Sequence, residues 1–153
     1  MLRPDHPGAA VTAETAKTAR WHFRLAAEFG PRDVTDEVER LVASSGVREG
    51  MVVVSLTGST GAVTTIEYEE GALADLRCTL DRLAPTKGEY AHNERWCDGN
   101  GFSHIRSALL KTSVAVPVVD GRPALSAWQQ IVVINLDNQT RDREVVAVVV
   151  GAA

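Results

Sequence analysis

Two runs of apolar, largely β-branched residues constrain the fold first: Met51-Val-Val-Val-Ser-Leu56 and Val145-Val-Ala-Val-Val-Val150. Each is short and continuous rather than alternating, the pattern of an inner strand. Together they carry more apolar strand surface than one small sheet readily covers, an excess that burial between subunits would relieve. The other segments decide what surrounds these strands.

Over residues 18–25, Trp21, Phe23 and Leu25 alternate with His22 and Arg24, which predicts a half-buried strand before a break at Gly30-Pro31. Residues 33–45 predict a helix with Val34, Val38, Leu41 and Val42 on one face, acids early, Arg40 late and Gly46 as the stop. After Gly58-Ser-Thr-Gly61, residues 63–68 resume a strand. Leu73, Leu76, Leu80 and Leu83 mark the seam of a second helix, which Pro85 ends. Ser103 is placed to cap a short helix that carries Ile105, Ala108 and Leu109 inward. Residues 113–119 predict a strand whose Pro117 suits an edge or a bulge, with a hairpin at Asp120-Gly121. Residues 125–136 form one long strand or a bent pair, and residues 143–150 the last strand. Strands and helices do not alternate regularly. That order predicts an α+β fold with a largely antiparallel sheet, in one domain over residues 17–153. Pro4, Pro7 and Gly8 predict a flexible leader over residues 1–16.

Composition excludes several classes. A net charge of -4 argues against a nucleic-acid partner, which wants a basic surface. No apolar run reaches membrane-spanning length, and residues 1–13 lack an apolar signal core. Cys78 and Cys97 make no disulfide framework and are expected to be reduced thiols of a cytoplasmic protein.

The reactive groups concentrate in residues 92–104, His-Asn-Glu-Arg-Trp-Cys-Asp-Gly-Asn-Gly-Phe-Ser-His, expected as a loop between two helices. Loops held on a rigid scaffold are common seats of chemistry. His92 and His104 are candidate catalytic residues, with Asp98, and candidate ligands of a divalent metal completed by Asp98 or Cys97. Their spacing matches no tight metal motif; the alternative is that both imidazoles hold the loop backbone. Ser59 and Thr60, within Gly58-Ser-Thr-Gly61, could cradle a phosphate; the alternative is a plain turn or bulge. The Gly-Lys-Ser/Thr ending of a P-loop is missing there. Ser103 offers a second anion site at a helix start, with Arg106 adding charge one turn on; the alternatives are an ordinary cap and a solvated surface arginine. Asn100 and Asn93 could orient a substrate or simply make turns. Trp128 and Gln129 could wall a pocket, or Trp128 could lie in the core. Trp96 is expected to anchor the loop by burying its ring. Cys97 is a poor nucleophile candidate, because the neighbouring Asp98 disfavours the thiolate. Glu67 or Glu69 could supply a base, though acids in such positions are usually solvated.

Five motifs in order are Gly58-Ser-Thr, Thr64-Thr-Ile-Glu-Tyr-Glu69, Tyr90-x-His92-Asn93, Asp98-Gly-Asn-Gly-x-Ser-His104 and Ala127-Trp-Gln-Gln130. In this series the chain resembles the YjbQ family, whose members are often labelled secondary thiamine-phosphate synthase enzymes. The resemblance implies a small, largely antiparallel β-sandwich with helices packed against it, assembled as a homotrimer. It also implies weak thiamine-phosphate synthase activity in some members. Many members carry His-Thr-Thr where this chain has Gly58-Ser59-Thr60. The Gly-Ser-Thr form resembles a subgroup in which histidine is expected at the positions of Cys97 and Phe102. Thiamine-phosphate synthesis joins the methyl-derived carbon on a pyrimidine to a thiazole nitrogen as pyrophosphate leaves, and usually employs Mg²⁺. This chain has no acid-rich pair of motifs for Mg²⁺-pyrophosphate. Two readings follow. The first is a small-molecule enzyme acting on a phosphorylated or anionic compound, with a His/Asp/Asn pocket near a subunit interface; its cofactor is left open between none and a divalent metal, Zn or Mg. The second is a non-catalytic trimer that binds a metal ion or a small anion.

Overall fold

The computed structural model describes residues 14–153. In chain order the elements are β1 (Glu14–Leu25), β2 (Gly30–Asp33), α1 (Thr35–Ser45), β3 (Glu49–Leu56), β4 (Gly61–Ile66) and α2 (Glu70–Leu83). They continue with α3 (Ala91–Trp96), α4 (Gly101–Leu110), β5 (Ser113–Val119), β6 (Arg122–Pro123), β7 (Gln130–Asn135) and β8 (Arg141–Ala152). The strands form two antiparallel sheets, β1-β8-β3-β5-β6 and β2-β7-β4. This is the α+β fold with antiparallel sheets that the order of segments predicts, and the sandwich that the family resemblance implies.

The two apolar runs lie side by side at the centre of the larger sheet, with Val54 opposite Ala147 and Val52 opposite Val149. Val52, Val54, Leu56, Val145, Ala147 and Val149 point inward. There they meet α1 through Val38, Leu41 and Val42, and the smaller sheet through Ile131 and Val133. The other side of the smaller sheet presents Val132 and Ile134, which pack with Leu80 of α2 and Leu136. So β7 is buried on both faces, which explains its unbroken apolar sequence. The outward positions of the larger sheet remain apolar too: Val53, Val146 and Val148 are half-buried, and Met51 and Val150 are exposed.

Several boundaries differ from expectation. The first strand begins at Glu14, where Glu14 pairs with Ala152, inside the range read as a leader. The rest of that range, residues 1–13, lies outside the described residues. Gly30-Pro31 opens a short strand on β7 instead of only breaking the chain. The long strand expected over residues 125–136 starts only at Gln130. Pro117 sits where edge chemistry applies: its carbonyl accepts from Ala124 N–H, so its proton-less nitrogen also faces away from β3.

The helices depart most. Of the α2 seam only Leu80 is fully buried, and Leu83 is exposed. The α4 stripe of Ile105, Ala108 and Leu109 faces out, with Ile105 46% and Leu109 54% exposed. The face turned inward is Phe102, Ser103, Arg106 and Ser107. Hydrogen bonds make this possible. Arg106 Nε donates to the Ala84 carbonyl at 2.9 Å, its Nη2 meets Asp81 at 2.6 Å, and Ser107 Oγ donates to the Gly61 carbonyl at 2.6 Å.

Replacing Ile134, which is fully buried between strands and helices, tests the packing. Ile134→Ala is expected to lower unfolding stability by about 2–5 kcal/mol, read from urea denaturation. A loss below about 1 kcal/mol would mean that the site collapses around the gap.

Candidate functional site

Helix α3 and the first turn of α4 are joined by a tight four-residue corner. Cys97 adopts a left-handed conformation with φ 55°, and Gly99 one with φ 67°. The corner is tied down at both ends. Asn93 Oδ1 accepts from the Gly101 N–H at 2.8 Å, and Asn138 Nδ2 donates to the Asp98 carbonyl at 2.8 Å. The stretch expected as a loop is therefore two short helices and a corner, and His92 and His104 project from the helices.

The corner brings the two imidazoles together. Their centroids are 4.3 Å apart with ring planes inclined by 50°. His92 Nε2 lies 3.3 Å from Asp98 Oδ2. Desolvation works to raise the Asp98 pKa. The Asn100 backbone N–H and the His92 imidazole outweigh it, and the carboxyl sits below its ordinary value of 3.8. The carboxylate can hold the ring's orientation and select which nitrogen carries the proton.

Opposite these rings stands a buried polar cluster at the seam of the sheets. Arg143, on the inward face of β8, is only 7% exposed. Its Nε donates to Asn135 Oδ1 at 3.0 Å, and its Nη2 donates to Asn135 Oδ1 at 2.6 Å and to Thr60 Oγ1 and the Thr60 carbonyl at 2.7 and 2.8 Å. The Thr60 hydroxyl donates in turn to Asp137 Oδ2 at 2.9 Å. Asp137 also pairs with Arg141 at 3.2 Å and lies 4.0 Å from Arg143. Burial pulls the Arg143 pKa down from its ordinary value, Asp137 opposes this, and Arg141 adds to it.

Between rings and cluster is an open hollow of about 540 Å³. His92, Asp98, His104, Ser59, Thr60 and Asn100 all line it, together with Arg141 and Arg143. A second hollow of about 430 Å³ shares Gly58, Ser59 and His104 with it and continues past Ala108 and Lys111. Asn100 is buried with its side-chain oxygen unpartnered among the described residues. The Thr60 hydroxyl is already held by Arg143 and Asp137, so it braces the hollow instead of facing a ligand.

Four predicted site residues are not in this group. Ser103 is no helix cap: α4 starts at Gly101 with Asn100 before it, and Ser103 is fully buried with its hydroxyl unpartnered among the described residues. Arg106 is fully buried and committed to Asp81 and Ala84, with its guanidinium 4.9 Å from the Phe102 ring centroid. It cannot turn to an anion in the hollow. Trp128 is 73% exposed and lines neither hollow. Gln129 holds its own segment, donating to Thr65 Oγ1 at 3.2 Å. Trp96 lines the rim and is 63% exposed, so it does not anchor the corner by burial.

The donor set fits a metal ion poorly. Zinc wants three or four converging ligands. Here the two rings lie tilted against each other, Asp98 is engaged by His92, and Cys97 is exposed and does not line the hollow. Among the described residues no three His, Cys, Asp or Glu side chains group to hold one. Sequence reading missed Arg143, Arg141 and Asp137. A signal was there: Arg143 shares the inward alternation of Val145, Ala147 and Val149, and a charged residue on a buried strand face needs partners.

A two-sheet antiparallel sandwich with a histidine-lined hollow at its seam defines the class of protein. The chain belongs to the family described as UPF0047 protein YjbQ-like, matched over residues 20–152. A UPF0047 protein of Archaeoglobus fulgidus is 37% identical over 114 residues, 74% of this chain and 86% of its own length. Another from Methanothermobacter thermautotrophicus is 36% identical over 119 residues, 78% of this chain and 81% of its own. A hypothetical protein of Aeropyrum pernix has a TM-score of 0.81 at 28% identity, over 88% of this chain and 98% of its own. A YbjQ-like protein of unknown function from Sulfolobus solfataricus shares the fold with a TM-score of 0.86 at 24% identity, over 91% of this chain and 99% of its own. Among the described residues no helix is long and apolar enough to cross a membrane.

Asp98 gives the site a pH signature. Its folded pKa lies below the unfolded value, so its contribution to stability is present above the unfolded pKa and lost as pH falls through the folded one. Asp98→Asn is expected to flatten that part of the acid limb of Tm against pH. An acid limb unchanged by the substitution would show that the His92–Asp98 contact does not form in solution.

Proposed function

We propose that this protein is a small-molecule enzyme acting on a phosphorylated or anionic compound, with His92, Asp98 and His104 as its working groups. One observation carries the reading: an Asp-oriented imidazole and a second imidazole 4.3 Å from it face one hollow. Paired groups of this kind move or hold protons during a reaction. The family label of the resemblance suggests the reaction to test, coupling of a pyrimidine pyrophosphate to a thiazole phosphate. In that reaction the bond between the pyrimidine's exocyclic methylene carbon and the pyrophosphate oxygen breaks, the bond from that carbon to the thiazole nitrogen forms, and negative charge collects on departing pyrophosphate. A ring N–H of His104 would hydrogen-bond the departing oxygen, and His92, held by Asp98, would donate beside it. Ser59 stands at the rim, where its hydroxyl can help seat the phosphate.

Assembly as a homotrimer belongs to the same proposal. Ile105, Ala108 and Leu109 lie outward on the helix that carries His104, and Met51 and Val150 add exposed apolar surface on the larger sheet. A partner covering the α4 face would close the hollow from outside and exclude water. Residence in the cytoplasm suits the two exposed free thiols.

The test is turnover of pyrimidine pyrophosphate with thiazole phosphate by the wild type and by His104→Ala. Activity is expected to fall about 100-fold or more, while mass in solution and Tm persist. Wild-type protein with no turnover would overturn the enzymatic reading and leave a non-catalytic anion-binding trimer. Introducing charge on the outward helix face, Ile105→Glu with Leu109→Glu, is expected to yield monomers by light scattering. A wild-type monomer would end the trimer proposal.

A further inference from the structure

Arg143 is used on one edge only. Its Nε and Nη2 are hydrogen-bonded to Asn135 and Thr60, yet among the described residues its Nη1 has no partner. Unlike the side-chain oxygens of Asn100 and Ser103, Nη1 is not sealed off: its two charged N–H groups stay open to the hollow, where water or a ligand oxygen can meet them. Asp137 is one carboxylate shared between two guanidiniums, those of Arg141 and Arg143. The other acids on the wall are engaged elsewhere: Asp98 faces His92, and Asp142 pairs with Arg24 at 3.0 Å. Beside Arg143, then, two guanidiniums share one buried carboxylate, while the Asp98 carboxylate lies against His92 on the same hollow.

The sequence leaves the approach to Nη1 open. The residue over it is Gly58, with φ +131°, where a Cβ would come within 3.3 Å of Nη1. Any other side chain there would crowd the guanidinium edge that now borders the hollow, and the backbone angle would strain it as well. The α4 N-terminus, at Asn100, opens on the same hollow and adds a positive dipole end.

We propose that Gly58 uncovers the Nη1 edge of Arg143 to make the seat for a tetrahedral oxyanion, the phosphate head group of the protein's ligand. The seat deepens the enzymatic reading, on whose hollow it rests, by assigning the anion to Arg143 in place of Ser103 and Arg106. A guanidinium edge takes a phosphate oxygen through short charge-assisted bonds. The body of the ligand then lies toward His92 and His104.

The experiment is a titration of the full isotopically labelled chain with inorganic phosphate, followed by NMR at the arginine Nε–H groups and at the Gly58 and Ser59 amides. Saturable shifts are expected at Arg143, Gly58 and Ser59, with Arg106 unmoved. Gly58→Ala is expected to weaken the affinity about tenfold or more, with its Tm recorded alongside. Because that variant can be strained, the wild-type titration decides by itself. Shifts confined to Arg141 and Lys111, or none that saturate, would overturn the seat. Binding with no catalytic turnover would keep the seat and sink the enzymatic reading; turnover with no Arg143 response would do the reverse.

Discussion

One buried guanidinium holds the architecture together. Arg143 belongs to the larger sheet, whereas Asn135 ends the central strand of the smaller one and Thr60 leads into its neighbour. The four hydrogen bonds among them join the two sheets where the hydrophobic core stops. A charge in this position must be paired, and removing one partner of such a group costs about 3–5 kcal/mol. The apolar core supplies bulk stability, but it does not by itself set how the sheets meet at this end. The polar seam does, because its geometry tolerates little displacement.

The hollow follows from that seam. Sheets packed through valine and isoleucine close tightly, as they do around Val52, Ile131 and Ala147. Where Arg143, Asp137 and Arg141 replace them, the sheets cannot close, and the helical corner of residues 97–100 spans the gap. The corner is rigid for local reasons: a left-handed Cys97, a glycine at 99 and hydrogen bonds from Asn138 and to Asn93. The imidazoles are thus held on a frame fastened to the same turn that carries Asp137. A site built this way positions its groups with the accuracy of secondary structure instead of that of a free loop.

Much of this was legible in the sequence. Continuous valine runs identified the inner strands, the irregular order of segments identified an α+β fold with a largely antiparallel sheet, and the family resemblance supplied the sandwich. The density of polar groups in residues 92–104 singled out His92, Asp98, Asn100 and His104, which do converge with Ser59 and Thr60. What escaped had physical causes. The apolar period of α4 correctly groups Ile105, Ala108 and Leu109, but period says only that residues share a face, not what the face meets. Placing the cap at Ser103 instead of Asn100 shifted the helix start by three residues, and taking the Ile105 stripe as the inward face left Arg106 as an anion ligand or a surface group instead of a buried one. Arg143 went unnoticed because it opens a strand of valines, and its partners Thr60, Asn135 and Asp137 are 83, 8 and 6 positions away in the chain, which no local pattern links.

The measurement closest to the centre of this account is the proton exchange of the Arg143 side chain in the ligand-free protein, followed by NMR. A guanidinium pinned along one edge and open along the other should show hindered rotation, with slowly exchanging Nε and Nη2 protons and rapidly exchanging Nη1 protons. A single averaged, fast-exchanging Arg143 signal would mean that the seam is not formed, and that neither the sheet junction nor the hollow above it exists as described.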